Sequence, residues 1–245
     1  MTTKRGFDQE DNRWFSPKAL AQLKIAQEEI QWLLDRGYKL SSIIELVGNH
    51  YQLSLRQRTA LQRATSTKLQ YEKRKSTQLS PETAKDGFLY IDGFNLIITL
   101  EVALSGSILI LGNDGVLRDL AGLRGTYRII EQTNIALELI GKTLKKLEVP
   151  GVKFFLDSPV SNSGRLKNMI LESLTKLGIY TEVELVPNAD VVLSKMDRIV
   201  TGDSIILDSC QSWFNLSRVI VEDYIKNPWI VSLNKTAETV VHPIH

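Results

Sequence analysis

Four aspartates in this 245-residue chain have the type and setting for metal-assisted chemistry: Asp92, Asp157, Asp190 and Asp203. Each follows, or lies close to, its own hydrophobic segment: Phe88-Leu89-Tyr90-Ile91 before Asp92, Val152–Leu156 before Asp157, Pro187-Asn188-Ala189 before Asp190, and Ile199-Val200-Thr201-Gly202 before Asp203. An apolar, β-prone run that ends in an acid presents that acid at the carboxyl end of a strand, where ligands of open α/β sheets collect. Carboxylates gathered there would hold a cation through oxygen. The chain has 3 histidines, two of them near its end, and 1 cysteine. A histidine or cysteine zinc site and a Ser-His-Asp triad are therefore disfavoured, and Mg2+ or Mn2+ is the expected ion. Glu101, nine residues after Asp92 in the apolar run Leu96–Leu104, is a further candidate ligand, because a buried carboxylate needs a partner. A salt-bridged glutamate is the alternative.

Elements that could position these acids alternate along residues 88–232. Apolar strands at 88–92, 152–157, 181–186 and 198–203 alternate with helical patterns at about 127–147, 165–177 and 212–226. That alternation predicts a mainly parallel α/β sheet. The strand ending at Asp203 is expected to continue after a break through Ser204–Asp208. Between the first strand and the long helix, Ser107–Leu111 and Val116-Leu117-Arg118 flank Asn113-Asp114-Gly115, which predicts a hairpin with Asp114 as a turn residue. The glycine-containing loop behind it carries Arg118 and Arg124, placed to meet phosphates. The small-residue loop Ser158–Gly164 opens a helix, and there Ser161 and Ser163 offer an anion seat.

The front of the chain is different. Residues 1–85 hold 15 Lys+Arg against 9 Asp+Glu, and residues 86–245 hold 15 against 19. A basic front on an acidic back suits a protein that meets a polyanion with one part and a cation with the other. Residues 1–15 read as a flexible arm. Ser16-Pro17 starts a helix that ends at Gly37, a second runs from Leu40 to a stop at Gly48-Asn49, and a third begins at Ser54. The last two resemble a helix-turn-helix that presents Arg56, Arg58 and Arg63 to nucleic acid. The polar stretch Thr65–Lys85 reads as a helix end and linker. The expected division is a small all-α domain at 1–82 and an α/β domain at 83–245. No apolar run approaches the roughly 20 residues that span a bilayer, and the first residues lack a secretory core. A cytoplasmic protein without a membrane partner is expected.

Taken in order, Tyr90-Ile91-Asp92-Gly93-Phe94-Asn95, Phe154-Phe155-Leu156-Asp157, Asn188-Ala189-Asp190 and Val200-Thr201-Gly202-Asp203-Ser204 resemble the motifs of the PIN-like nuclease superfamily, most closely its NYN branch. The whole chain also looks like an uncharacterised prokaryotic two-domain family with a short helical front. The resemblance covers about residues 86–232. It implies a three-layer α/β/α sandwich, one or two Mg2+ or Mn2+ ions, and RNA ahead of DNA as substrate. Carried over by position, Asp92, Asp190 and Asp203 match the acidic ligands and Asp157 the strand-end acid, while Asn95 would orient Asp92 or touch the phosphate. The chain departs from the pattern in a hairpin-like insert at about 105–125 and in the ambiguous status of Glu101.

The expected function is metal-dependent endonuclease action on RNA, with the front domain holding the strand. The alternative is a non-catalytic nucleic-acid-binding or regulatory protein, a homodimer among its possible forms. A phosphotransferase is disfavoured: the chain has no Walker-type loop, and Asp92-Gly93-Phe94 lacks the second aspartate of a dehalogenase-type phosphatase.

Overall fold

The structure, a computed structural model, describes residues 4–122 and 125–233. Its front is helical: α1 (Asp11–Trp14), α2 (Pro17–Leu34), α3 (Leu40–His50), α4 (Leu55–Ala64) and α5 (Lys68–Thr77). Ser16 caps α2, with its hydroxyl accepting from the Ala19 amide and Pro17 in the first position. Reciprocal capping boxes, Ser54 with Gln57 and Thr67 with Gln70, start α4 and α5. The second box lies in the stretch expected to be linker, and Thr67-Lys68-Leu69-Gln70 was a legible signal for a helix start. Helix α3 runs on to His50 through Gly48-Asn49. The guanidinium of Arg58 lies over Gly48, so close that a Cβ there would stand 2.6 Å from it.

The main sheet has five strands in the order β5-β4-β1-β6-β7, all parallel. They are β1 (Leu89–Asp92), β4 (Val152–Asp157), β5 (Thr181–Val186), β6 (Ile199–Val200) and β7 (Trp213–Phe214). The helices that follow these strands are α6 (Gly93–Leu104), α7 (Glu131–Lys146), α8 (Ser163–Lys176), the short α9 (Ala189–Leu193) and α10 (Ser204–Leu207), and α11 (Leu216–Tyr224). Two expectations fail here. Residues 204–207 are a helical turn, because the Asp203 carboxylate caps the Ile205 and Ile206 amides and ends the extended run. Trp213-Phe214 pairs as the edge strand before α11 begins, so that helix starts later than its apolar pattern suggested.

The hairpin forms as expected, from β2 (Leu109–Leu111) and β3 (Leu117–Asp119). Strand β2 also pairs in parallel with β8 (Ile230–Ser232), which makes a second, three-stranded sheet. Ile108, Ile110, Leu120, Val231 and Leu233 of this sheet and its flanks share one apolar core with Leu23, Ile30, Val47 and Leu61 of the front helices. The division at residue 82 is therefore not a division between two cores. After α5, Gln78 and Leu79 pair with the edge strand at Trp213, and the Trp213 indole donates to the Arg74 carbonyl at 2.8 Å. Nor is 1–15 a free arm over its described part: Phe15 is fully buried and Asp11 nearly so. Among the described residues no helix is long and apolar enough to cross a membrane.

Candidate active site

The strand order determines where a site can form. From β1 the chain steps outward to β4 and β5, then returns to the other side of β1 for β6 and β7. The reversal lies between β1 and β6. There the two following connections diverge to opposite faces and leave a crevice at the strands' carboxyl ends. Asp92 ends β1, and Thr201-Gly202-Asp203 follows β6. Asp157 ends the neighbouring β4, and Asp190 sits in the first turn of α9. All four aspartates line one cleft of about 680 Å³.

Local chemistry holds each acid in place. Asp92 caps α6, accepting from the Asn95 amide at 3.3 Å and the Thr201 hydroxyl at 2.9 Å. Gly93 beside it is closely packed: a Cβ there would stand 2.5 Å from the Leu156 side chain and 3.2 Å from the Phe155 carbonyl. Asn95 accepts from the Gly202 amide at 2.7 Å, and so ties the loop that carries Asp203 to the helix that carries Asp92. A Cβ on Gly202 would press on the Leu117 carbonyl and on Asn95. Asp157 accepts from the Ala189 amide at 2.8 Å and thereby draws α9 and Asp190 to the end of β4. Asn188 caps that helix.

What remains open is more informative than what is tied. One carboxylate oxygen of Asp157, one of Asp203 and both of Asp190 have no protein donor among the described residues. Among the described residues none of the four pairs with a lysine or arginine. Burial, with Thr201 and Asn95 opposing it and the charges of Asp190 and Asp203 adding to it, pushes the Asp92 carboxyl up to about 7. Burial and then the charges of Asp203 and Asp157 raise Asp190 as well. The acids thus sense one another, with desolvation the larger cause for both. No three such side chains among the described residues stand close enough to grip a metal ion as they are.

The opposite wall comes from the front helices: Gln62 and Arg63 of α4, Thr65 and Thr67 in the turn, Gln70 and Arg74 of α5. Of this wall sequence reasoning singled out only Arg63, and it missed Thr201 and Asp119. Asp119 also lines the cleft, with its carboxylate accepting from Thr99 and the Ala121 amide.

Several expected roles are corrected. Glu101 lies outside the cleft lining. It is fully buried, with Arg5 Nε at 2.8 Å, the Tyr127 hydroxyl at 2.6 Å and the Thr133 hydroxyl at 2.5 Å, so it is not free to bind a metal. Asp114 is more than a turn residue: it is a buried anion bridging Arg74 and Arg118. The Arg118 guanidinium also donates to the Gly202 carbonyl at 2.8 Å, so it cannot meet phosphate and braces the Asp203 loop instead. Arg56 is engaged by Asp11 and by the Gly6 and Leu120 carbonyls, and Arg58 by Leu53 and Asn49. The helix pair therefore presents no free arginine row to a groove. Arg63 alone of the three lines the cleft. It donates to the Asp119 carbonyl, while its Nε and Nη2 have no acceptor among the described residues. Ser163 is buried and donates weakly to Ser158, and Ser161, whose hydroxyl accepts from the Tyr127 amide, lies outside the cleft lining, so the loop adds no anion seat to the cleft. Arg124 lies outside the described residues.

Residues 81–219 match the family model described as a domain of unknown function, DUF5616, and residues 22–77 match DUF434, a protein of unknown function. The first match covers more than half of the chain. This chain belongs to the DUF5616 family. It is 35% identical over 186 residues to an uncharacterised protein of Methanocaldococcus jannaschii, MJ0935, an alignment that spans 75% of this chain and 88% of the relative. No solved structure matches it. The two family matches meet near residue 80, close to the division read from the sequence, although the packing runs across it.

Proposed function

We propose that this protein is a metal-dependent phosphodiesterase of PIN-like type that cleaves RNA in the cleft at the β1/β6 reversal. One observation carries the reading: Asp157, Asp190 and Asp203 turn open carboxylate oxygens to a solvent-reached cleft, and none of them pairs with a lysine or arginine among the described residues. Unpaired anions held together by the fold are costly, and a divalent ion offsets that cost. The donor set is all oxygen, which fits Mg2+ or Mn2+. Asp92, Asp190 and Asp203 would hold the ion, although the side chains must draw inward to do so. When bound, it supplies charge neutralisation at the scissile phosphate.

The chain's own groups do the rest. Asp157, at the far side of the row, accepts a proton from the attacking water. Thr201 holds Asp92 in its orientation, and Asn95 keeps the Asp203 loop against α6. Arg63, across the cleft, offers a cation to a phosphate oxygen. RNA is favoured over DNA by the motif resemblance alone.

The test is cleavage of a labelled single-stranded RNA by purified protein with manganese, and by Asp92→Asn. Loss of at least about 1,000-fold in rate, near 4 kcal/mol of transition-state stabilisation, is expected for the variant. Cleavage undiminished in Asp92→Asn, or undiminished by a chelator, rules the mechanism out. A non-catalytic nucleic-acid binder would bind the strand equally well with and without manganese.

A further inference from the structure

A second cavity, of about 200 Å³, adjoins the acidic cleft and shares Ile98 and Gly122 with it as a common wall. Its lining has the opposite charge. Lys4, Arg5 and Arg128 contribute to it, and no carboxylate does among the described residues. The Lys4 ammonium and the Arg128 guanidinium have no acidic partner among the described residues, and both residues are exposed. Gly122, between the cavities, has φ 64° and carries no side chain to separate them.

The arm that brings these cations is anchored, not loose. Buried Glu101 holds Arg5 Nε at 2.8 Å, the Arg5 amide donates to Ser105 at 3.0 Å, and Arg5 Nη2 donates to the Arg128 carbonyl at 2.5 Å. The guanidinium also lies 4.9 Å from the Tyr127 ring centre. Gly6 packs so tightly on Val102 that a Cβ would stand 2.9 Å from it. A carboxylate fully withdrawn from water is thus used to fix the arm in place, which leaves Lys4, its ammonium 5.5 Å from the Phe7 ring centre, and Arg128 exposed and without an acidic partner among the described residues. Unpaired cations repel each other, and fixing them together is sensible where an anion will sit between them.

We infer that Lys4 and Arg128, held together by Arg5, form a second subsite that takes a backbone phosphate of the same single-stranded polynucleotide whose neighbouring linkage enters the acidic cleft over Gly122. This rests on the phosphodiesterase reading above and gives its substrate a second point of attachment. A single strand fits because the acids sit within a walled cleft of small-ligand size, and a cationic track beside it follows a backbone without reading bases.

The experiment measures binding of a fluorescein-labelled single-stranded 20-nucleotide RNA by anisotropy in EDTA, across 50–300 mM salt. It compares the unaltered protein, Lys4→Ala/Arg128→Ala, and the charge-matched control Lys142→Ala/Lys176→Ala, whose lysines line neither cavity. Melting temperatures verify that all three are folded. The subsite variant is expected to bind about 5- to 20-fold more weakly, with a salt slope smaller by about 1.4, the value for two phosphate contacts on a single strand. The control is expected to change less than about twofold, on the same counterion-release argument. Equal affinities, or equal losses in both variants, overturn the subsite. No binding by the unaltered protein overturns both the subsite and the substrate reading. Binding that weakens only in the subsite variant, without any manganese-dependent cleavage, leaves the subsite standing and removes the hydrolytic reading.

Discussion

Two groups of carboxylates, one lining the cleft and one lying behind the Arg74 and Arg118 side chains of its wall, have opposite fates. Asp114 lies against Arg74 at 2.5 Å and Arg118 at 2.7 Å, and Arg74 reaches on to Asp208 at 2.7 Å. Burial works to raise the Asp114 carboxyl, but Arg118 and then Arg74 outweigh it and hold it below the usual carboxylate range. Asp92, in the cleft itself, is as deeply buried with only hydroxyl and amide donors, and its carboxyl is pushed up to about 7. Equal burial with opposite shifts separates the roles. The first group is already neutralised and braces α5 against the hairpin and the Asp203 loop. The second is left unneutralised, which favours an external cation.

The comparison can be broken most forcefully at Asp114. Asp114→Ala leaves two buried guanidinium groups without their shared anion, and removing one partner of a buried pair costs about 3–5 kcal/mol. Urea unfolding should show that loss at neutral pH; a loss under 1 kcal/mol would mean that the network is ornamental.

Asp92 should behave the opposite way. Its folded carboxyl is raised from 3.8 to about 7, so the stability it permits is fully present below about pH 4 and is lost as pH rises towards 7. In metal-free buffer, Asp92→Asn should therefore gain on the unaltered protein by up to roughly 4 kcal/mol between pH 4 and pH 8. Parallel pH profiles of the two proteins would refute the raised carboxyl. Thr201 can still donate to the asparagine carbonyl, which keeps the substitution isosteric at that bond.

Manganese sharpens the contrast by a smaller amount. At 100 times its dissociation constant it should stabilise the folded protein by about 2.7 kcal/mol. The same addition should leave Asp203→Asn nearly unmoved in a thermal melt. An equal rise in both would place the ion elsewhere.

The smallest effect is expected at Glu101, where Gln keeps the shape but loses the charge opposite Arg5. Hydrogen bonds to charged groups are worth about 1.5–3 kcal/mol. Burial nonetheless raises the Glu101 carboxyl, even with Thr133, Tyr127 and Arg5 opposing it. Neutralising it offsets part of that loss, so urea unfolding should report a net loss below about 1.5 kcal/mol. Stabilisation instead would show that Arg5 is indifferent to its partner.

The acid-ended strands at Asp92 and Asp157, the hairpin around Asp114, the parallel alternation and most helix starts were legible, because they rest on runs of five to fifteen neighbouring residues. A capping box at Thr67 was legible too, but the polar composition around it read as linker. The partners of the acids were not legible. Arg74 meets Asp208 across 134 positions of chain, Asp92 meets Thr201 across 109, and Arg5 meets Glu101 across 96. Local pattern says where an acid stands on its own strand or helix. Whether it is neutralised depends on which distant segment the packing brings beside it. The amino-acid sequence alone determined that strands would carry aspartates to one edge of a parallel sheet. The tertiary structure alone decided which carboxylates are matched by arginines and which are left open, because desolvation and Coulomb attraction act through space within a few ångströms and are blind to order along the chain.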